Sequence, residues 1–141
     1  MAKGTFIRTS NVKPFIVDRN YSSKMLLDKF NSESKGIQLN EGTLGPGCST
    51  PGAAHMAPHD EIYYVIKGEA VLTMDGVKYE IAPGDVIYIP CETFHSLDNK
   101  SDTDDFVLMT IWPEHPAEGA NEVYDMRLKA WGKSYETLDG K

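Results

Sequence analysis

Short β-prone segments, separated by turn-forming residues, dominate the middle of this chain. Runs rich in β-branched and aromatic residues occupy positions 62–66, 70–74, 77–81, 86–89 and 106–112. The dipeptide Asp75-Gly76 lies between two of these runs, the composition and spacing of a two-residue hairpin turn, and Pro83-Gly84 indicates another turn. Because 141 residues fit one domain of ordinary size and no internal repeat is found, we predict a single all-β domain with antiparallel strands.

The segments that flank this region are less regular. Residues 42–58 contain four glycines and three prolines, which predicts a long loop. The sequence of residues 6–17 predicts a peripheral strand. Residues 25–30 are an apolar segment whose secondary structure the sequence does not determine. Near the end of the chain, Tyr124, Leu128 and Trp131 would share one face of a helix. Such a tail would either pack on the domain or a partner subunit, or cover the site as a lid.

The charge balance excludes some classes of partner. A net charge of -7 and a pI near 5.0, without any basic cluster, argue against binding to nucleic acid or to an anionic membrane. We find no apolar stretch of about 20 residues and no signal-peptide pattern at the start, and we therefore expect a cytoplasmic protein. In that compartment Cys48 and Cys91 are expected to stay reduced.

The residues that carry chemistry cluster around Glu61. His59 and Glu61 are two positions apart, so in an extended chain both side chains leave the same face, about 7 Å apart. His95 enters from another strand, which gives two imidazoles and one carboxylate for a divalent metal. His55 joins as a fourth ligand only if the chain bends between positions 56 and 58. A buried Glu61 without a cation would carry a large desolvation cost.

The spacing of several residues resembles the two motifs of the cupin family. Glu61 followed by Gly68-Glu69-Ala70 is similar to the end of the first motif, and the second is matched by Gly84, Pro90, His95 and Asn99. The fifteen residues between Gly68 and Gly84 are similar to the spacer of small single-domain bacterial cupins. The resemblance implies a cupin double-stranded β-helix, or jelly-roll barrel. Its core would lie at about residues 37–112, with an N-terminal strand arm at 1–36 and a short helical or irregular tail at 113–141.

The resemblance also implies which residues form the site. At some of these positions the sequence departs from the family pattern. The resemblance places metal ligands at His55, Glu61 and His95, but Ala57 stands where the family has a second histidine. His59 is the expected substitute. Glu92 stands where the second motif usually has glycine, which puts a carboxylate near the expected barrel mouth.

These residues predict one divalent metal ion (Zn, Mn, Fe, Co or Ni) and three alternative functions. The first is an isomerase or lyase for a small oxygen-rich metabolite such as a sugar, hydroxy acid or keto acid. The second is a mononuclear iron dioxygenase, and the third is a non-catalytic small-molecule-binding cupin, which the loss of a ligand at Ala57 suggests. Tyr63, two positions beyond Glu61, and Glu92 are the catalytic candidates. From the resemblance and from the open edge strands we also expect a homodimer.

Overall fold

A computed structural model describes residues 3–29, 31–113, 125–126 and 129–130 of the protein. Within these residues a 3-10 turn at Thr9–Asn11 precedes nine strands. The strands are β1 (Phe15–Ile16), β2 (Tyr21–Leu27), β3 (Ile37–Leu44), β4 (Glu61–Lys67), β5 (Ala70–Met74), β6 (Val77–Ile81), β7 (Val86–Ile89), β8 (His95–Asp98) and β9 (Phe106–Pro113).

All strand pairs are antiparallel, and the strands form two sheets. The larger sheet has the order β1-β2-β3-β9-β4-β7, and the smaller has the order β6-β5-β8. A single apolar core contains residues of both sheets, among them Leu44, Val65 and Phe106 from the larger and Leu72 and Leu97 from the smaller. The predicted all-β jelly roll is therefore confirmed.

The alternation of side chains along the central strands determines what faces the core. In β9 the residues at even positions from Phe106 to Trp112 are buried, and those at odd positions are more exposed. In β4 the buried residues are Glu61, Tyr63 and Val65. Since successive side chains of a strand point to opposite faces, Glu61 is directed to the interior by the same pattern that buries Val65.

The structure refines the predicted segments. The five strands predicted in the middle of the chain are present, and the apolar segment that begins at Met25 is the second half of β2. The peripheral strand predicted at residues 6–17 is wrong for most of its length, because Thr9–Asn11 form a 3-10 turn and only Phe15–Ile16 pair with β2. The predicted loop at 42–58 begins later, because β3 pairs with β9 as far as Leu44. In the tail, residues 125–126 and 129–130 have helical conformation. The helical face predicted from Tyr124, Leu128 and Trp131 lies outside the described residues. None of the described helical residues belongs to a helix with the length and apolarity that crossing a membrane requires.

Candidate metal centre

Glu61 is the first residue of β4 and lies in the interior of the barrel. It is 2% exposed and pairs with Ile89 of β7. The preceding residue anchors this end of the strand: Asp60 Oδ1 accepts the Cys91 N–H at 2.8 Å, and Asp60 Oδ2 accepts the Tyr88 hydroxyl at 2.8 Å. The backbone bond from Cys91 and the bond from Tyr88 lower the pKa of the Asp60 carboxyl. The start of β4 is therefore held against β7 and the turn that follows it.

His95 approaches Glu61 from the smaller sheet, at the start of β8. Its Nδ1 lies 2.9 Å from the Thr93 carbonyl oxygen, which can only accept a hydrogen bond. In the neutral imidazole this contact assigns the proton to Nδ1 and leaves the lone pair of Nε2 free, as is usual for a histidine that binds a metal. Nε2 lies 3.3 Å from Glu61 Oε1.

His55 is delivered by the loop between β3 and β4, which runs antiparallel along β8. Ala53 and His95 exchange two backbone hydrogen bonds of 2.9 and 3.0 Å, and the Glu92 N–H donates to the His55 carbonyl at 2.6 Å. The chain then turns, with His59 N–H donating to the Met56 carbonyl. This is the bend that the sequence argument required for His55 to reach the site, and it leaves His55 Nε2 3.3 Å from Glu61 Oε1.

The three side chains converge on one point. One ligand atom from each of His55, Glu61 and His95 lies within 4.8 Å of the other two. The ring of Trp112 packs edge-on against the His55 ring, with centroids 4.4 Å apart, and restricts the orientation of that imidazole. Two imidazole nitrogens and one carboxylate oxygen are a common ligand set for divalent transition metals.

The buried charge of the Glu61 carboxylate favours a cation at this point. Oε1 is buried, and at 3.3 Å from both imidazoles it has no hydrogen-bond partner. Burial by itself lowers the pKa of His95, but the Glu61 carboxylate and the Thr93 carbonyl outweigh that effect and raise it. A metal ion would neutralise the carboxylate and use both Nε2 lone pairs, so the residues present fit a divalent metal.

His59 is not brought into this group. It is 5% exposed and therefore buried, but among the described residues the group of converging ligands contains only His55, Glu61 and His95. The expectation for His59 assumed an extended chain from 59 to 61. The backbone is instead turned at positions 56–60, and β4 begins only at Glu61, so the two-residue alternation does not apply. A ligand role for His59 stays a prediction.

The Glu92 side chain does not face the cavity, and a catalytic role for it stays a prediction. Its side chain is exposed, it does not line the cavity beside the three ligands, and its backbone adopts φ +63° in the turn between β7 and β8. The structure gives Glu92 a different contribution, because its backbone N–H holds the carbonyl of His55. Tyr88 and Phe94, aromatic residues on either side of Glu92 in the sequence, are also exposed, at 56% and 52%.

Tyr63 lies where the sequence argument placed it. It is buried, it lines the cavity, and its ring centroid is 6.0 Å from that of His95. Burial first, and the charge of Glu61 second, raise the pKa of Tyr63 well above its usual value. The phenol therefore stays protonated at neutral pH and can donate a hydrogen bond to a ligand.

The cavity has a volume of about 340 Å³ and opens next to the three converging ligands. This equals the liquid volume of about eleven water molecules, enough for one small organic ligand. Several of its lining residues were not expected from the sequence, among them Tyr21, Asn40, Thr110 and Met126. A signal for Asn40 was present, because Asn40 and the inward-facing Gln38 are polar residues within a strand that pairs on both sides.

Comparisons with known proteins agree with the jelly-roll fold. The family model described as "Cupin domain" matches residues 40–112. An uncharacterised protein of Methanocaldococcus jannaschii is 29% identical over 107 residues, which are 76% of this chain and 85% of that protein. The oxalate-binding protein of Thermotoga maritima is 26% identical over 106 residues, 72% of this chain and 88% of that one. The polyketide cyclase RemF of Streptomyces resistomycificus superposes with a TM-score of 0.71 at 20% identity, covering 93% of this chain and 96% of RemF, a likeness of fold alone.

Proposed function

This chain belongs to the cupin family, and from that premise we propose that it is a metal-dependent enzyme that acts on a small oxygen-rich metabolite by isomerase or lyase chemistry. The metal is one divalent ion held by His55, Glu61 and His95. The substrate is a sugar, a hydroxy acid or a keto acid that enters the cavity beside these ligands.

One observation carries the proposal. A buried carboxylate oxygen without a hydrogen-bond partner lies 3.3 Å from two imidazole nitrogens, at the wall of a cavity of small-molecule size. A buried carboxylate without a compensating charge would lower the free energy of unfolding by several kcal/mol. A cation is therefore expected beside Glu61. Because three ligands leave coordination positions open, a substrate oxygen can reach the same ion.

The protein's own residues would supply orientation and a proton. A divalent metal at this centre, when bound, polarises a carbonyl or hydroxyl of the substrate. Tyr63 presents a protonated phenol two positions from Glu61 on the same strand face, suited to donate to an oxygen on which negative charge develops. Trp112 and Leu108 line the same cavity and reduce the water around the reacting atoms.

An iron dioxygenase is the second candidate, because two histidines and one carboxylate are the ligand set of non-haem iron oxygenases. The structure groups His55, rather than His59, with Glu61 and His95. Oxygen uptake by iron-loaded protein in the presence of hydroxy and keto acids distinguishes this candidate from redox-neutral chemistry.

Metal content is the first test of the proposal. Elemental analysis of protein purified without added metal should give close to one divalent metal per chain in the wild type and little in His95→Ala and Glu61→Gln. Ser96→Ala is the matched control, since Ser96 neighbours His95 on β8 but points to the other face. Equal trace amounts in wild type and His95→Ala would contradict the proposal.

Turnover is the second test. Metal-loaded protein should exchange a carbon-bound hydrogen next to the carbonyl of a hydroxy-carbonyl compound for deuterium in D₂O, or eliminate water from it, as followed by NMR. Both signals should disappear in His95→Ala. Stoichiometric metal and ligand binding without any conversion would instead support the non-catalytic binding function.

A homodimer is also proposed. The edge strand β7 exposes Val86 and Tyr88 at 65% and 56%, and the neighbouring β4 exposes Tyr64 and Ile66 on the same outer face of the sheet. Unpaired edges with apolar side chains favour pairing with a second copy. Light scattering coupled to size exclusion should give twice the 15.7 kDa mass of the chain, and a monomer mass would contradict the proposal.

A further inference from the structure

The cavity has a second polar layer beside the metal centre, and the strand register defines it. Asn40 of β3 pairs with Thr110 of β9, and Thr110 pairs with Tyr63 of β4, so the three side chains lie side by side on the inner face. All three line the cavity. Glu61 is two residues before Tyr63 on β4, so this layer lies about 7 Å along the strands from the carboxylate.

In the described part of the chain, Asn40 and Thr110 keep free hydrogen-bonding groups, whereas the Tyr63 phenol also interacts with the Glu61 carboxylate. Asn40 is 6% exposed, and its side-chain amide makes no hydrogen bond to the described part of the chain. Thr110 Oγ1 accepts the Trp112 indole N–H at 3.1 Å, which leaves the hydroxyl proton of Thr110 to donate. A buried amide that faces a cavity without a protein partner is expected to bind a polar ligand or water.

A further phenol extends the layer from the N-terminal part of the chain. Tyr21 of β2 lines the cavity, and its ring lies over Gly42 of β3, where any side chain would collide with it. Burial first, and the charge of Glu61 second, raise the pKa of Tyr21 above its usual value, so this phenol also stays protonated at neutral pH. Gly42 therefore provides the space in which the Tyr21 hydroxyl reaches the cavity.

The charge of the cavity limits which ligands can use these groups. Among the described lining residues there is no lysine or arginine, and the carboxylates are Asp18 and Glu61. A dicarboxylate would find no cationic side chain among these residues, and its second carboxylate would be desolvated without compensation. An uncharged ligand with hydroxyl groups would instead satisfy the amide, the hydroxyl and the phenols.

We infer that the Asn40, Thr110, Tyr63 and Tyr21 layer is a binding subsite for the hydroxyl groups of an uncharged hydroxy-carbonyl compound whose other end reaches the metal. The inference rests on the proposed function. It narrows the substrate class from sugars and organic acids to neutral compounds that carry several hydroxyl groups. It assigns Asn40 as the residue that determines this specificity.

Titration calorimetry on Mn²⁺-loaded protein tests the inference with three probes. D-Fructose is long enough to span both layers, dihydroxyacetone has the same hydroxy-carbonyl group but reaches only the metal, and oxalate is a chelating dianion. Because oxalate binds the metal with both carboxylates and does not reach the layer, its affinity should be the same in the wild type and in Asn40→Leu. Asn40→Leu should weaken fructose binding about tenfold or more, the loss of one to two hydrogen bonds, and change dihydroxyacetone binding less than twofold.

Three controls separate failure of the inference from failure of the proposed function. Asn40→Leu should retain one Mn²⁺ per chain, which shows that the barrel and the metal centre are intact. Thr43→Val, on the outer face of the same strand, should bind fructose like the wild type. Tyr21→Phe removes only a hydroxyl group, and it should also weaken the binding of fructose more than the binding of dihydroxyacetone.

Two results would overturn the inference while leaving the metal centre in place. One is an affinity for oxalate that falls in Asn40→Leu as much as the affinity for fructose does. The other is an unchanged affinity for fructose in both Asn40→Leu and Tyr21→Phe. Wild-type protein that binds no Mn²⁺ would instead contradict the proposed function.

Discussion

Substitution of Gly42 by alanine should destabilise the protein through one contact, with the ring of Tyr21. A Cβ built on Gly42 would lie 2.9 Å from Cζ and 3.1 Å from Cε2 of that ring, and closer still to the hydroxyl. Carbon atoms in contact prefer about 3.5–4.0 Å, so the ring must move by roughly 0.5–1 Å. Insertion of a methyl group into a packed site typically costs about 1–3 kcal/mol.

The cost should fall in the lower half of that range. Tyr21 lies against the cavity and is partly exposed, so its phenol can move into open space instead of forcing the backbone apart. We therefore expect a loss of about 1–2 kcal/mol. With an unfolding entropy of about 0.3 kcal/mol/K for a chain of this length, Tm should fall by about 3–7 °C.

A double-mutant cycle measured by urea denaturation isolates the contact. In a Tyr21→Leu background the collision is absent, and Gly42→Ala should become neutral or stabilise the strand by up to about 1 kcal/mol, since glycine is unfavourable in a strand. Gly36→Ala is the control, because a Cβ at Gly36 would meet nothing within 4 Å. An equal cost of Gly42→Ala in both backgrounds would show that the ring of Tyr21 is not the cause of the destabilisation.

Three further predictions concern the metal centre and the loops. Mn²⁺ at 100 times its Kd should raise the free energy of unfolding of the wild type by about 2.7 kcal/mol, or Tm by about 9 °C, and should leave Tm of Glu61→Gln unchanged in differential scanning fluorimetry. Metal affinity should fall as the pH drops through the raised pKa of His95, because protons compete for Nε2, and a flat calorimetric profile between about pH 8 and 5 would contradict this. Asn99→Ala should cost about 2–4 kcal/mol in urea denaturation, since the buried amide of Asn99 donates to three backbone carbonyls, whereas a loss below about 1 kcal/mol would contradict the assigned role.

Much of the barrel follows from local signals in the sequence. The turn at Asp75-Gly76 adopts positive φ at both residues, as a tight hairpin between β5 and β6 requires. The alternation that buries Tyr63 and Val65 also directs Glu61 to the interior. These features depend on residues one or two positions apart, which is why the sequence alone predicts them.

The composition of the site depends on contacts that are distant along the chain. His55 reaches Glu61 because the loop that carries it pairs with β8, forty residues later, at His95. The role of Asn40 depends on its register with Thr110, and the position of Tyr21 depends on the absence of a side chain at Gly42. Local patterns cannot specify these pairings. For this reason the sequence suggested His59 as a metal ligand by local alternation, and it did not identify Asn40 as a cavity residue.

The proposed function depends on one metal ion that His55, Glu61 and His95 bind together. The most direct measurement is X-ray diffraction from crystals of the Mn²⁺-loaded protein, with the ion located by its anomalous signal. We expect a single strong peak about 2.0–2.3 Å from His55 Nε2, His95 Nε2 and a carboxylate oxygen of Glu61. A peak elsewhere in the chain, or an ion that leaves the imidazole of His55 or His95 unbound, would contradict this expectation.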